Sequence, residues 1–342
     1  MNKPLLSFII PMYNVEKYIG TCIESILSQD LNMSEYEIVV VDDGSSDAGK
    51  DVLFNIKHDN IRYFWQENNG QSSARNKGLE MANGEYVHFV DADDVLIPHS
   101  IRSILDCALH FDLDMVTFNL VEKKYDEPLL DNPNSNLENV GKVSTIMSGT
   151  EYIEKYNFNN GPWWYIVKKQ TLMQNKVRFV PGHYGEDGMF TMELLMHIGR
   201  IAHVNRFCYQ YLLRPNSTTT NRNISHQKKM LLDYLFVYQY MQSLIGSNES
   251  HLSEKAIERC NARSETYIFF LLARLLRYPN YNEVKKYVKK LKELGQYPVK
   301  KPYNGLKFSI TTYIINNYCM LLMCNRLYNM IPTFFLRKVG IA

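Results

Sequence analysis

The sequence predicts an α/β protein: a mostly parallel sheet flanked by helices, with a C-terminal helical region. Three observations lead there. Segments apolar on both faces alternate with helix-period segments early in the chain, the pattern of strands in a sheet covered on each side. Polar and acidic residues gather directly after those strands, at Pro11–Asn14, Asp42–Ser45 and Asp91–Asp94, where ligands bind in such sheets. From about residue 225 onward the pattern turns helical.

The elements follow in order. "LLSFII" (5–10) reads as a buried strand that Pro11 and Asn14 break. Ile19, Cys22, Ile23, Ile26 and Leu27 then recur at i, i+3, i+4, i+7, i+8, one face of a helix. "YEIVVV" (36–41) is a second strand, and Ser45, Ser46 and Asp47 are N-cap candidates for a helix to about residue 57. "IRYFW" (61–65) is a third strand. It is followed by a short helix expected to be capped by Ser72 or Ser73 and closed by Gly84. "EYVHFV" is a fourth strand, and Ile101, Ile104, Leu105, Ala108 and Leu109 mark one face of the next helix.

Composition bounds the class. A chain of 342 residues with 45% hydrophobic and 22% charged residues is ordinary globular material, long enough for two lobes. A net charge of +2 argues against a dedicated nucleic-acid binder. Six scattered cysteines without a C-x-x-C pair, and a start without a basic-then-apolar leader pattern, give the expectation of a reducing cytoplasmic location. No apolar run reaches the roughly 18 residues of a spanning helix.

"EYVHFVDADDVLIPHS" ends a strand in three carboxylates, Asp91, Asp93 and Asp94. Like charges so close disfavour one another's ionisation. Either they form a solvated turn before the helix that follows Pro98, or they hold a hard divalent cation. Mg²⁺ or Mn²⁺ takes one or two carboxylates and completes its shell with phosphates and water. Dinucleotide and P-loop readings lack their glycine motifs: no G-x-G-x-x-G follows a strand and no G-x-x-x-x-G-K-[ST] exists.

Four segments in order decide the context: "SFIIPMYNVEKYIGTCIESILSQ", "EIVVVDDGSSD", "ENNGQSSARNKGLEMANGEYVHFVDADD" and "YGEDGMF". Together they resemble the family 2 glycosyltransferases, inverting enzymes with a Rossmann-like GT-A fold that use nucleotide-diphospho-sugars. The resemblance covers roughly residues 5–220. It implies a nucleotide-sugar-binding half over 1–98, an acceptor-binding half over 99–222, and leaves 223–342 as the helical region. By resemblance, Pro11, Tyr13, Asn14, Asp42 and Asp43 line the nucleotide pocket, and Arg75 touches the nucleotide side of the donor. Asp93 is the principal ligand of Mn²⁺ or Mg²⁺, with Asp91 assisting, and Asp91, Ala92 and Asp94 contact the donor. Asp187 is the general base that an inverting transfer needs, with Glu186 as its fallback. The same two residues also suit the first turn of a helix.

Other positions stay open. Trp163 and Trp164 are either sugar-stacking platforms in the acceptor pocket or core indoles. His183 is a ligand or a structural loop residue. Arg214 and Ser217, in a "YQYLLRPNSTT" ending that resembles the family's, either close over the diphosphate or form a plain loop.

The expected donor is a UDP-sugar, and the expected acceptor a saccharide or a polyprenyl-diphosphate-linked saccharide of a capsule-like polymer. A non-catalytic sugar-nucleotide or glycan-binding module on the same fold is the alternative. In the last third, Met230, Tyr234, Tyr238, Met241 and Ile245 suggest an amphipathic helix, and "TYIFFLLARLLRY" (266–278) a second. Lysines 285, 286, 289, 290, 292, 300 and 301 form a basic run before an apolar stretch with embedded Asn and Arg. A helical bundle with a solvated lysine face and a peripheral membrane attachment both fit, as does self-association.

Overall fold

The computed structural model describes residues 3–214, 223–299 and 305–330. The chain divides into two compact units, one of residues 1–182 and 186–217, the other of 183–185 and 218–342.

The first unit is built on an eight-stranded sheet. β1 (Leu6–Met12) and β2 (Tyr36–Asp42) pair in parallel from Leu6↔Tyr36 to Met12↔Asp42. Both are almost wholly buried, as continuous apolar runs require when helices cover both faces. β3 (Ile61–Trp65) extends the sheet beyond β2, and β4 (Tyr86–Phe89) lies on the other side of β1, both in parallel. The remaining strands are β5 (Val95–Leu96), β6 (Met115–Lys124), β7 (Tyr165–Lys168) and β8 (Ile201–Leu213). The order is β3-β2-β1-β4-β7-β6-β8-β5. The expected parallel sheet ends at β4, because β7 runs antiparallel to both β4 and β6, and β5 antiparallel to β8. The sheet is therefore mixed.

Helices α1 (Ile19–Leu27), α2 (Gly49–Asn55) and α4 (Ile101–His110) contribute Ile19, Ile23, Leu53, Ile101 and Leu105 to one core with Phe8, Ile10, Ile38 and Val40. Leu109, expected on the buried face of α4, is exposed. α3 (Gln71–Met81) covers the other face, where Ala74 packs with Val39 and Val41. α3 approaches the sheet closely. A Cβ on Gly78 would stand 2.3 Å from Ile9 Cγ2.

The expected caps are corrected. α2 starts at Gly49, and Ser45, Ser46 and Asp47 brace the loop after β1 instead of opening a long helix. Ser45 Oγ accepts from Asn14 N (3.1 Å), and Asp47 Oδ2 accepts from Glu16 N (2.8 Å). α3 follows Gly70, whose φ of 84° suits only a residue without a Cβ, so Ser72 and Ser73 lie inside the first turn. α3 ends at Met81, and Gly84 lies past its end. A Cβ on Gly84 would stand 2.6 Å from Ser7 N, so glycine is needed there for close backbone approach.

α5 (Gly149–Lys155), α6 (Lys169–Gln174) and α7 (Glu186–His197) complete the first unit. The second unit holds α8 (Ile224–Ser247), α9 (Glu254–Leu275), α10 (Tyr281–Glu293), α11 (Leu306–Asn316) and α12 (Tyr318–Met330). Ser253 caps α9 and Asn280 caps α10 through their side chains. Leu235, Ile268, Leu272, Val288, Ile315 and Leu321 share one core, so these helices form a bundle. Lysines 285, 286, 289, 290 and 292 are solvated on α10, and Lys300 and Lys301 lie outside the described residues. Among the described residues no helix is long and apolar enough to cross a membrane.

Candidate active site

The site is built at the carboxyl ends of β1, β2 and β4. The loop after β1 and the loop after β2 are laced together. Asn14 Oδ1 accepts from Ser46 N (2.9 Å), and Glu16 Oε2 accepts from Ala48 N (3.0 Å). Asn14 holds φ at 51°, a conformation asparagine tolerates better than most residues. It is thereby a builder of the pocket wall. Tyr13 is half exposed beside it, and Pro11 is partly exposed.

The two aspartates after β2 are buried and engaged. Asp42 accepts from Ser45 N (2.8 Å) and from Tyr63 Oη (2.7 Å). Asp43 accepts from Gln66 Nε2 (2.6 Å), Asn69 N (2.9 Å) and Gly70 N (2.8 Å), tying the loop before α3 to the end of β2. Both are expected at a nucleotide, and Asp42 is held from the turn and from β3. Its oxygens serve the turn.

The carboxylates after β4 separate by environment. Asp94 is 1% exposed, accepting from Tyr209 Oη (2.8 Å) and Leu212 N (2.8 Å). Tyr209 Oη also accepts from Asp91 N (3.2 Å), so one phenol pins the whole loop to β8. Asp94, expected at the donor, thus ties the loop to β8, and Ala92 beside it is buried. Burial, with Asp91 and Asp93 close by, holds the Asp94 carboxyl well above its ordinary range. Asp91 and Asp93 keep about a quarter of their side-chain surface open, at 23% and 22%. Burial raises the Asp93 carboxyl, as does Asp91, and Arg214 opposes both. Arg214 Nε stands 2.5 Å from Asp93 Oδ2. Ser217 lies outside the described residues.

Arg75 is the hub. It sits on α3 with 1% exposure. Its Nη2 is 2.7 Å from Asp91 Oδ1 and its Nη1 is 2.7 Å from Asp187 Oδ1, with Glu186 Oε1 at 3.6 Å. The guanidinium lies over the Phe179 ring at 5.2 Å, and Phe179 stacks on Phe190 of α7 at 3.8 Å. Asn76, the next residue on α3, binds both the N–H and the carbonyl of Phe179. One helix therefore places both the cation and the ring beneath it. Arg75 was expected to touch the donor. Three carboxylates, Asp91, Glu186 and Asp187, enclose it.

Three carboxylates around one guanidinium leave an excess of negative charge. Glu186 is buried and hydrogen-bonded by Gln71 Nε2. Asp187 sits in a recess, walled by protein yet a quarter exposed. Burial, then Glu186 and Asp91 against the pull of Arg75, push the Asp187 carboxyl up to about 8. Burial works against the Arg75 charge, but Asp187, Asp91 and Glu186 outweigh it and keep the guanidinium protonated.

Trp163 is partly buried, its indole stacked on Tyr209 and Tyr211 with centroids 5.4 Å away in each case. Trp164 is 3% exposed beside Tyr152 and Tyr165, a core indole, one of the two uses the sequence leaves open. His183 belongs to the second unit, where Nδ1 meets Asp233 at 3.0 Å and the ring stacks on Phe236. Sequence reading missed Tyr209, whose only signal was its place before Arg214.

Among the described residues no three His, Cys, Asp or Glu side chains gather as a metal cage. Asp91 and Asp93 are hard oxygen donors with open surface, and two carboxylates suit Mg²⁺ or Mn²⁺ when phosphates complete the shell. The residues fit a cation shared with a diphosphate.

Residues 7–199 match the model of glycosyl transferase family 2. The chain belongs to that family. The transferase is 28% identical over 237 residues to the uncharacterized glycosyltransferase YibD of Escherichia coli, covering 65% of this chain and 67% of YibD. It is 27% identical to the minor teichoic acid biosynthesis protein GgaA of Bacillus subtilis, covering 83% of this chain and 62% of GgaA. The structure of S. aureus TarS 1-349 in complex with UDP-GlcNAc superimposes with a TM-score of 0.56 at 20% identity, covering 86% of this chain and 93% of that one. A mannosyltransferase from Pyrobaculum calidifontis in complex with GDP-Man and Mn²⁺ gives 0.50 at 15% identity, over 96% and 88%. The fold of the transferase is GT-A-like, a mixed sheet with helices on its faces and a helical region after it.

Proposed function

We propose that the transferase moves one sugar, with inversion, from a UDP-sugar to a saccharide or a polyprenyl-diphosphate-linked saccharide in polysaccharide synthesis, using Mn²⁺ or Mg²⁺. It would be a hexosyl- or N-acetylhexosaminyl-transferase. The observation that carries this reading is Arg75, which holds Asp187 and Asp91 at 2.7 Å each. An in-line displacement needs a base on the acceptor side and positive charge on the leaving-group side. A single buried cation lies against a candidate for each, which supports this reading.

The residues then take roles. Residues 1–98 form the nucleotide half, with Tyr13 and Pro11 against the base and the last acceptor position of Asp43 within the pocket wall. Asp93, with Asp91, would hold the cation, which would supply charge neutralisation to the departing diphosphate. Arg214 lies against Asp93 and opposes the rise that burial and Asp91 impose on its carboxyl. Residues 99–222 form the acceptor half, with Trp163 as the candidate platform for a sugar ring. Asp187 takes the proton of the acceptor hydroxyl as that oxygen bonds to the anomeric carbon and the diphosphate departs. A carboxyl raised toward neutrality is a stronger base than an ordinary one, which suits this step. All six cysteines are free, which suits a reducing cytoplasm.

UDP-GlcNAc in TarS and GDP-Man in the archaeal neighbour define the first donors to try. Calorimetric titration of UDP-, GDP- and dTDP-sugars with Mn²⁺, followed by assay of sugar transfer, tests the proposal. UDP-sugars are expected to bind and turn over. Tight donor binding without transfer to any acceptor or to water would leave a binding module in place of an enzyme.

A further inference from the structure

The last acidic residue of the chain is Glu293. Beyond it come Lys300, Lys301, Lys307, Arg326, Arg337 and Lys338 and no Asp or Glu. A net charge of +2 that contains these six positive charges leaves −4 for everything before. The basic character of the chain is thus concentrated in its final segment.

Of these, Lys307 and Arg326 lie on the described helices α11 and α12. α11 turns Ile315 into the bundle core, and Leu306, Ile310 and Tyr313 point the opposite way. α12 buries Leu321 and Asn325 and leaves Met323, Leu327 and Met330 on its outer side. These six apolar side chains are between 51% and 78% exposed. They are not the frayed edge of a loose helix. Asn325 Nδ2 donates to the carbonyls of Leu275 (2.8 Å) and Tyr278 (2.7 Å), and Asn329 Nδ2 to Tyr278 (3.0 Å), which anchors α12 to the end of α9. Lys307 and Arg326 are exposed beside the two stripes. Lys292, at the end of the lysine-rich α10, lies over the Tyr318 ring at 4.6 Å, at the start of α12.

We infer that the outer faces of α11 and α12 form an interfacial docking surface for an anionic lipid bilayer. Rigid apolar stripes rimmed by Lys and Arg, with no carboxylate to repel anionic headgroups, match the requirements of an in-plane membrane helix. Exposed apolar stripes of this kind call for a partner. Lys307 and Arg326, with no Asp or Glu on either helix, select lipid over a second copy, since two such faces brought together would repel.

The test is co-sedimentation of the full chain with vesicles of phosphatidylcholine alone or mixed with phosphatidylglycerol. No sugar nucleotide is present, so the outcome is independent of the transfer reading. Binding to the anionic vesicles is expected to exceed binding to the neutral ones about tenfold and to weaken as salt rises. The double variant Ile310→Asp, Leu327→Asp, both at exposed positions, is expected to lose about tenfold in partitioning while keeping its circular dichroism and melting point. Arg326→Glu, which leaves the apolar stripes intact, is expected to show a smaller loss in the same direction. Wild-type protein that stays in solution with anionic vesicles would overturn the inference, as would a folded double variant that sediments as well. Light scattering covers the other occupant: a wild-type dimer that the double variant dissociates, with no vesicle binding, would assign the faces to a second copy.

Discussion

At the scale of single residues, the chemistry turns on the charge of Asp187. A carboxyl near 8 in the folded chain and near 3.9 when unfolded holds its proton more tightly when folded. It therefore contributes to stability most below about pH 4, and that contribution is lost as pH rises toward about 8. Catalysis runs the other way, because a base works only when deprotonated. The transfer rate is expected to climb through the neutral range and level off above about pH 8, a titration that belongs to the Arg75 cluster as a whole. Asp187→Asn keeps the shape and removes the basicity. Single-turnover transfer should fall about 10²–10⁴-fold while donor titrations stay unchanged, and the pH slope of stability should flatten. A variant with normal single-turnover rates would move the base to Glu186, and one that failed to bind donor would make Asp187 a structural residue.

At the scale of elements, α3 connects fold to site. Its closeness to β1 depends on Gly78, and the same helix carries Arg75 three residues earlier. A valine at 78 would push branched carbons into Ile9, which is fully buried and has no room to yield. Overpacking of this kind typically costs about 1–3 kcal/mol. Replacing a helical glycine returns only a few tenths, since β-branching consumes much of the gain. Gly78→Val is thus expected to lower the urea midpoint and to depress transfer more than donor binding, because α3 sets the Asp91–Arg75–Asp187 geometry. Unchanged stability and rate would mean the helix has slack.

The same element shows where sequence reading stops. β1, α1, β2 and β3 were legible because continuous apolar runs and a 3.6 period are local signals. β6, β7 and β8 were not: β7 is four residues long, and its partners lie about 50 and 80 residues away. Asp91–Asp94 and Asp187 stood out as carboxylates at strand and helix ends. Their partition into open and engaged groups did not, because Tyr209 reaches Asp94 and Arg75 reaches Asp187 across more than 100 residues. The cap candidates Ser45 and Asp47 failed for a related reason, their side chains being used by the neighbouring loop.

At the scale of the whole molecule, donor and cation should act as one ligand. Neither Asp91 nor Asp93 forms part of a three-ligand cage among the described residues, so protein-only metal affinity should be weak and the diphosphate should strengthen it. A ligand at a hundred times its Kd adds about 2.7 kcal/mol to stability. For a unit of roughly 200 residues, each kcal/mol moves Tm by about 2–4 °C, so UDP with Mn²⁺ should raise the melting point by about 5–10 °C. UDP with EDTA, or Mn²⁺ alone, should give a small fraction of that. Asp93→Asn removes one of the two open carboxylates and should lose most of the joint shift, with transfer falling in parallel. Melting curves across UDP, GDP and dTDP then rank the bases under one protocol. A full nucleotide shift that survives EDTA and Asp93→Asn would detach donor binding from the cation. The positive charge opposite the diphosphate would then have to come from the protein itself, with Arg214 as the residue already lying against Asp93.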